Sequence, residues 1–231
     1  MISIIIPTYN EADQIAETIS KTHAANVEHQ IEIIVADGRS TDETVTIALS
    51  ANTITIVSNK KGRAAQMNKG ASVTKGDVLY FLHADSIPPK NFAGSILNAV
   101  NKNFSSGCFR LSFDHSHWFL KANAWFTRFN VNAVRFGDQS LFVTKEVFQK
   151  SGRFREDLLM MEDQEIIHRI KKYGRFQVMN DYVTTSTRKY LDNSIYRLQV
   201  IFFRIWCLYY LHYSQERLLK LHRKLIRKYK L

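Results

Sequence analysis

Short apolar runs recur through the first third of the chain, each followed by a polar turn and then by apolar positions three and four residues apart. Residues 2–6, 31–36, 54–57 and 78–82 read as strands. Residues 12–25, with Ile15, Ala16 and Ile19 on one face, read as a helix starting near Asn10 or Glu11. A second helix is expected up to about Ser50, capped by Ser40 or Thr41, and a third from about Ala64 to Ser72. Strands alternating with helices in this way predict βαβ units and a mostly parallel sheet. Right-handed crossovers then gather the strand ends on one rim, with Tyr9, Asp37, the Gly62-Arg63 loop, His83 and Asp85 along it. The run Val78 to Leu82 has the composition of a strand buried on both faces. His83 and Asp85 follow it two residues apart, so an extended chain would turn both to one side, where a single cation could meet them.

The second half is less regular. Residues 91–103 predict a helix, 107–113 an alternating strand, and 118–134 an aromatic, helical wall of a pocket. His115 and His117 sit in a polar loop and read as surface residues. Gly137-Asp138-Gln139 precedes a short apolar strand at 141–143 and a helix at 145–150. Glu162 and Asp163 open a helix with Ile166, Ile167 and Ile170 on one face, where capping alone would also favour acids. Residues 176–179 and 182–187 are two strand candidates, followed by Arg188-Lys189-Tyr190.

Residues 194–213 are rich in Ile, Phe, Trp, Leu and Tyr, but Arg204 and His212 interrupt them before the ~20 apolar residues of a membrane span. Residues 214–231 form a basic amphipathic helix that either lies on an anionic membrane surface or packs on the domain or on a second subunit as a homodimer. The expected division is a globular unit at 1–190, made of a regular half at 1–100 and a less regular half at 101–190, and a helical tail at 191–231.

Composition narrows the partners. The chain has 231 residues, is 45% hydrophobic and 23% charged, and so holds one good core. Cys108 and Cys207 are too far apart for a metal motif and suggest a reducing compartment; Met1 leads straight into a strand, with no signal-type region. Formal charge is +11, and from Arg204 onward eight Lys or Arg residues face one acid, Glu216. Basic residues concentrated beside large apolar ones suit a membrane surface better than a nucleic-acid groove. Neither a P-loop nor a G-x-G-x-x-G turn follows the first strand, which argues against a kinase or a dehydrogenase.

Five motifs, in order, give the chain a family resemblance over residues 2–190. Pro7-Thr8-Tyr9-Asn10-Glu11, Asp37-Gly38-Arg39-Ser40-Thr41-Asp42, Gly62-Arg63 with Asn68 and Gly70, His83-Ala84-Asp85 and Glu162-Asp163 together resemble a family 2 glycosyltransferase, an inverting enzyme of the GT-A fold. In particular the chain resembles a bacterial subgroup with His-Ala-Asp in place of Asp-x-Asp and a later Gly-Asp-Gln segment. Gly38 stands where the family pattern has an aspartate.

The resemblance implies an α/β, Rossmann-like, mostly parallel sheet flanked by helices, with the amphipathic tail added. It implies nucleotide-sugar contacts from Pro7, Thr8, Tyr9, Glu11, Asp37, Arg63, Asn68, Ala84 and Arg188, with UDP the expected nucleotide. Asp85 and His83 would hold a divalent cation, Mn²⁺ in preference to Mg²⁺ because imidazole suits it better. Asp163 would be the catalytic base with Glu162 beside it, and Asp138 and Gln139 would belong to the acceptor pocket. The acceptor would be unidentified, lipid-linked molecules included, and the location cytoplasmic or peripheral at the inner face of the membrane. Two rivals use the same fold. A nucleotidyltransferase would need the metal site but no Glu162-Asp163 base; a non-catalytic nucleotide-sugar binder or membrane scaffold would have no use for a base, and the retention of both Asp85 and Asp163 argues against it.

Overall fold

A computed structural model describes residues 1–135 and 137–226. Eight strands form one sheet in the order β3-β2-β1-β4-β7-β6-β8-β5. The first half is as the alternation predicts. β1 (Ile2–Thr8), β2 (Ile31–Asp37), β3 (Ile54–Val57) and β4 (Val78–Phe81) run parallel, joined by α1 (Ala12–Ala25), α2 (Thr44–Ser50) and α3 (Arg63–Ser72). Every residue of β1 is buried, because the strand lies between β2 and β4 and is covered on both faces. Ile2, Ile4 and Ile6 join Ile15, Ile19, Phe92 and Ile96 in one core, while Ile5 joins Met67, Phe81, Phe148 and Ile166 in the other.

The direction then changes. Two residues, Ser86–Ile87, form β5, and α4 (Phe92–Asn101) leads into β6 (Phe104–Phe113). After α5 (Trp118–Phe126), β7 (Leu141–Thr144) enters the sheet antiparallel to both β4 and β6. α6 (Lys145–Lys150) and α7 (Glu162–Ile170) follow, then β8 (Arg175–Thr185), which pairs parallel to β6 and antiparallel to β5. The chain closes with α8 (Arg188–Asn193), α9 (Ile195–Tyr210) and α10 (Gln215–Leu225).

Several local expectations need correction. The two strands expected at 176–179 and 182–187 are one strand, β8, because register shifts against β6 absorb the polar interruption. The helix expected over 118–134 stops at Phe126; Thr127 sends its hydroxyl back to the Ala124 carbonyl (2.6 Å) and the chain continues as turns. Neither Ser40 nor Thr41 caps α2. The Ser40 hydroxyl donates instead to Asp37 (2.5 Å), and Asp42 accepts from the Thr44 amide (3.1 Å). His115 and His117 are local turn residues, His117 accepting from the Phe119 amide at the start of α5 (3.3 Å).

The tail is no separate appendage. Gln215 accepts from the Leu159 and Met160 amides (3.0 Å each), and the Tyr210 hydroxyl donates to Gln164 (3.1 Å). Leu218 of α10 is buried. The apolar face of that helix therefore packs on the domain.

Candidate active site

The rim where β4, β6 and β8 end carries a cavity of roughly 410 Å³. Its floor is charged: Arg63 at the start of α3, Asp85 after β4, Asp138 before β7, and Glu162 and Asp163 at the head of α7. Its upper wall is apolar, with Phe113, Phe126, Leu159, Phe202 and Trp206 among its residues. One end of a ligand in this space would meet ions and the other end hydrocarbon and aromatic rings.

Arg63 organises the floor. Its guanidinium lies 3.5 Å from Glu162 and 3.7 Å from Asp163. Burial opposes its charge, but Glu162, Asp163, Asp138 and Asp85 outweigh that and raise its pKa. The two neighbouring carboxylates differ in access, the Glu162 side chain being 6% exposed and that of Asp163 20%. Burial first, then the Asp163 charge, push the Glu162 carboxyl up to about 7 against the pull of Arg63.

His83 does not extend beside Asp85 as an alternating strand would require. The Ser86 amide donates to the His83 carbonyl (3.1 Å), so the chain turns directly after β4. The His83 Nδ1 meets Asp138 Oδ1 at 2.9 Å. Burial works against the Asp138 charge, yet this hydrogen bond, then the charges of His83, Lys189 and Arg63, hold its carboxyl well below the usual range. Whenever the imidazole is neutral, an ionised Asp138 selects the tautomer with Nδ1 as donor and the lone pair on Nε2, the arrangement in which a carboxylate orients a metal-ligating histidine.

Gly137 lets these groups approach. A Cβ there would stand 2.1 Å from Asp163 Oδ2 and 2.8 Å from the His83 Cε1. A second close approach accounts for the glycine at position 38. A Cβ there would lie 2.3 Å from Nε2 of Gln66, which donates to the Thr8 carbonyl (2.5 Å).

Among the described residues no group of three or more His, Cys, Asp and Glu is placed to hold a metal ion. A cation at Asp85 and His83 would have to take further oxygens from a ligand's phosphates, which is how a carboxylate-poor Mg²⁺- or Mn²⁺-type site is usually completed. The residues fit a metal that arrives with a diphosphate.

Residues 3–157 match the model of glycosyl transferase family 2, more than half of the chain. The chain belongs to that family. This glycosyltransferase is 25% identical to the dolichyl N-acetyl-alpha-D-glucosaminyl phosphate 3-beta-D-2,3-diacetamido-2,3-dideoxy-beta-D-glucuronosyltransferase of Methanococcus voltae, over 84% of this chain and 70% of that protein. It is 30% identical to an undecaprenyl-phosphate 4-deoxy-4-formamido-L-arabinose transferase of Pseudomonas fluorescens, over 45% of this chain but only 33% of the relative. Among solved structures, S. aureus TarS in complex with UDP-GlcNAc matches with a TM-score of 0.67 at 17% identity, covering 81% of this chain and 58% of that one. The Pyrobaculum calidifontis mannosyltransferase PcManGT, in complex with GDP-Man and Mn²⁺, matches at 0.71 and 16% identity, covering 89% and 62%. The fold is that of a GT-A glycosyltransferase.

The structure brings five of the expected residues, Arg63, Asp85, Asp138, Glu162 and Asp163, to one cavity. The others sit around it or behind it. Asp37 is buried, and its carboxylate accepts from the Ser40 amide (2.8 Å) and hydroxyl (2.5 Å) and the Thr8 hydroxyl (3.2 Å), which shapes the turn after β2. Pro7 and Tyr9 flank Thr8 at the end of β1. Glu11 reaches Arg188 (2.8 Å) and ties the start of α1 to the start of α8. Ala84 accepts from the Thr18 hydroxyl (2.6 Å). Asn68 binds the Phe154 carbonyl (2.9 Å) and amide (3.0 Å) and thereby braces the loop before α7. Gln139 is buried behind the wall, donating to the Phe109 carbonyl (3.2 Å).

Other cavity residues escaped sequence reasoning. Arg135 is wholly buried; it donates to the Thr127 carbonyl (2.7 Å) and to that of Phe129, while its own carbonyl accepts from Gln164 (2.7 Å). It fastens the 127–135 turns to α7. Lys189 comes from the start of α8, and Trp206 and His222 from the tail. Burial, then Lys189, Arg63 and Arg223, push His222 down to about 4, so the imidazole is neutral. Trp206 and His222 carry no local signal, because only the folding-back of α9 and α10 brings them to the floor's charges.

Proposed function

We propose that this glycosyltransferase moves a sugar, with inversion, from a nucleoside-diphosphate sugar to an acceptor hydroxyl, with Asp163 as the general base. The observation that carries the reading is the placement of Glu162 and Asp163 across one cavity from Asp85, with Arg63 between them. UDP is the nucleotide we assign; TarS was solved with a UDP-sugar. Arg63, at the amino end of α3, takes diphosphate oxygens, helped by the helix terminus. Arg188 leaves Glu11 to contact the same group. Asp85 and His83, the latter oriented by Asp138, would hold a divalent cation, Mn²⁺ in preference to Mg²⁺, and that ion would supply charge neutralisation at the leaving group. Asp163 accepts the acceptor's proton as its oxygen bonds to the anomeric carbon and the bond to the diphosphate breaks. Glu162, whose carboxyl burial and the Asp163 charge push upward, positions that carboxylate. The apolar upper wall suits an acceptor with a lipid portion, reached at the cytoplasmic face of a membrane.

The test uses UDP-sugar turnover and donor binding on the full chain. Asp163→Asn should bind donor as wild type while turnover falls by ~10²-fold or more, the scale of general-base catalysis. Asp85→Ala should lose both turnover and the Mn²⁺ dependence of donor binding. Unimpaired turnover in either variant refutes the corresponding role, unless the acceptor is a phosphate, which needs no base. Release of pyrophosphate from a nucleoside triphosphate would instead indicate a nucleotidyltransferase, and donor binding with no turnover on any acceptor a non-catalytic binder.

A further inference from the structure

Two helices from distant parts of the chain meet at the cavity's mouth and leave large apolar side chains in solvent. On α5, Trp118 is 65% exposed and Trp125 47%; on α9, Val200 is 65% exposed and Phe203 63%. The two sets form one surface. Trp118 and Phe119 lie against Tyr196, with ring centroids 6.5 and 5.1 Å apart, and Asn123 donates to Gln199 (3.4 Å). Tyr196, Val200, Phe203 and Tyr210 recur at three-, four- and seven-residue intervals, one side of a helix. Soluble surfaces rarely expose so many large apolar side chains together, and such patches mark contact sites.

Charge chooses the partner. Residues 118–135 carry Lys121 and Arg128 toward the surface, with Arg135 buried behind them, and no acid; α9 contains Arg197 and Arg204 and no acid. Arg128 lies over the Trp125 ring (4.5 Å), and Arg197 and Arg204 border an apolar groove of roughly 370 Å³. A second copy docked through the same patch about a two-fold axis would oppose cation to cation. A lipid surface with anionic headgroups answers both features, accepting aromatic rings at headgroup depth and Lys and Arg among the phosphates.

We propose that the α5–α9 face docks the enzyme on an anionic bilayer and opens the active-site cavity toward it. Phe126 belongs to both, half-exposed on the face and lining the cavity. The same holds across the mouth, where Trp206 lines the cavity and stacks on exposed Phe203 (6.1 Å). The basic α10, whose apolar side is turned inward, adds charge near the surface but is not the inserted element. The inference rests on the reading of the acceptor as having a lipid portion, but its test does not need that acceptor.

The experiment compares vesicles of neutral phosphatidylcholine with vesicles holding about one third phosphatidylglycerol, where each nearby Lys or Arg adds attraction. The full chain should sediment with the anionic vesicles at low salt, with tryptophan emission shifting to the blue as Trp118 and Trp125 leave water. Binding should weaken by about tenfold at high salt, as screened charge attraction does. Trp118→Ser combined with Val200→Ser and Phe203→Ser should reduce retention by about tenfold or more, because it removes most of the inserted area. Its UDP-sugar binding should stay at the wild-type level, which shows that the variant is folded. Retention of that variant at the wild-type level, or failure of the wild-type chain to bind anionic vesicles at low salt, overturns the inference. So does a dimer that Phe203→Ser dissociates while vesicles leave the protein in solution. Vesicle binding without any donor binding would preserve the docking face and refute the sugar-transfer reading.

Discussion

The contact at Gly137 allows the catalytic assignment to be tested without touching a charged group. Gly137→Ala adds one methyl group where Asp163 Oδ2 stands 2.1 Å from the new carbon and the His83 Cε1 2.8 Å. Ordinary carbon–oxygen contacts need more than about 3 Å, so the carboxylate must move by about 1 Å or rotate away. Gly137 belongs to a short 3-10 turn over Gly137–Gln139, a helical backbone that alanine adopts readily. Asp163 ends a short side chain partly open to the cavity and can yield, which keeps the stability loss within the ~1 kcal/mol of an ordinary point mutant. Position is another matter, since a misplacement of about 1 Å at a reacting group can cost ~10²-fold. The expected result is a fall of about that size in the rate of UDP release from a UDP-sugar, with donor affinity near wild type. Calorimetric donor titration and a coupled nucleoside-diphosphate assay measure the two separately. The decisive comparison is a double-mutant cycle with Asp163→Asn. If the methyl acts by displacing the base, it should cost little more once the base is gone. Full additivity of the two losses, or Gly137→Ala turnover within threefold of wild type, would refute the assignment of Asp163.

Two further outcomes follow from the same site. Glu162 titrates near 7 in the folded chain against an ordinary 4.5, so the native state holds its proton more tightly than the unfolded chain does. Its contribution is therefore most favourable below about 4.5 and is lost as pH rises to about 7, by up to about 3 kcal/mol at ~1.4 kcal/mol per unit. Glu162→Gln should match the wild-type melting temperature near pH 5 and exceed it near pH 8; parallel melting curves across that range would exclude the shift. Gln215→Ala removes the acceptor shared by the Leu159 and Met160 amides and should cost about 1–3 kcal/mol, or a fall of several degrees in melting temperature. Amide exchange at those two residues should accelerate together, and unchanged protection there would show that α10 does not brace the loop before α7.

The amino-acid sequence by itself determined the first half of the molecule. Ile2 to Ile6, Ile31 to Ala36 and Val78 to Leu82 are apolar runs that only a sheet covered on both sides can bury, and the helices between them carry apolar stripes of the matching period. Once those crossovers form, Arg63, Asp85 and the strand ends must share a rim, so the order of the motifs along the chain already places them together. What the tertiary structure decided is the closure of the site. The turn at His83–Ser86 redirects the imidazole to Asp138, a residue far along the chain, and no local periodicity encodes such a pairing. Arg135 carries no sequence signal of its place, yet it is wholly buried because backbone carbonyls of Thr127 and Phe129 satisfy it. The basic tail has the same hydrophobic pattern whether its apolar side meets lipid or protein. Within the described residues, Leu218 and Gln215 of α10 fit against the domain, and residues 227–231 of the expected helix lie outside them.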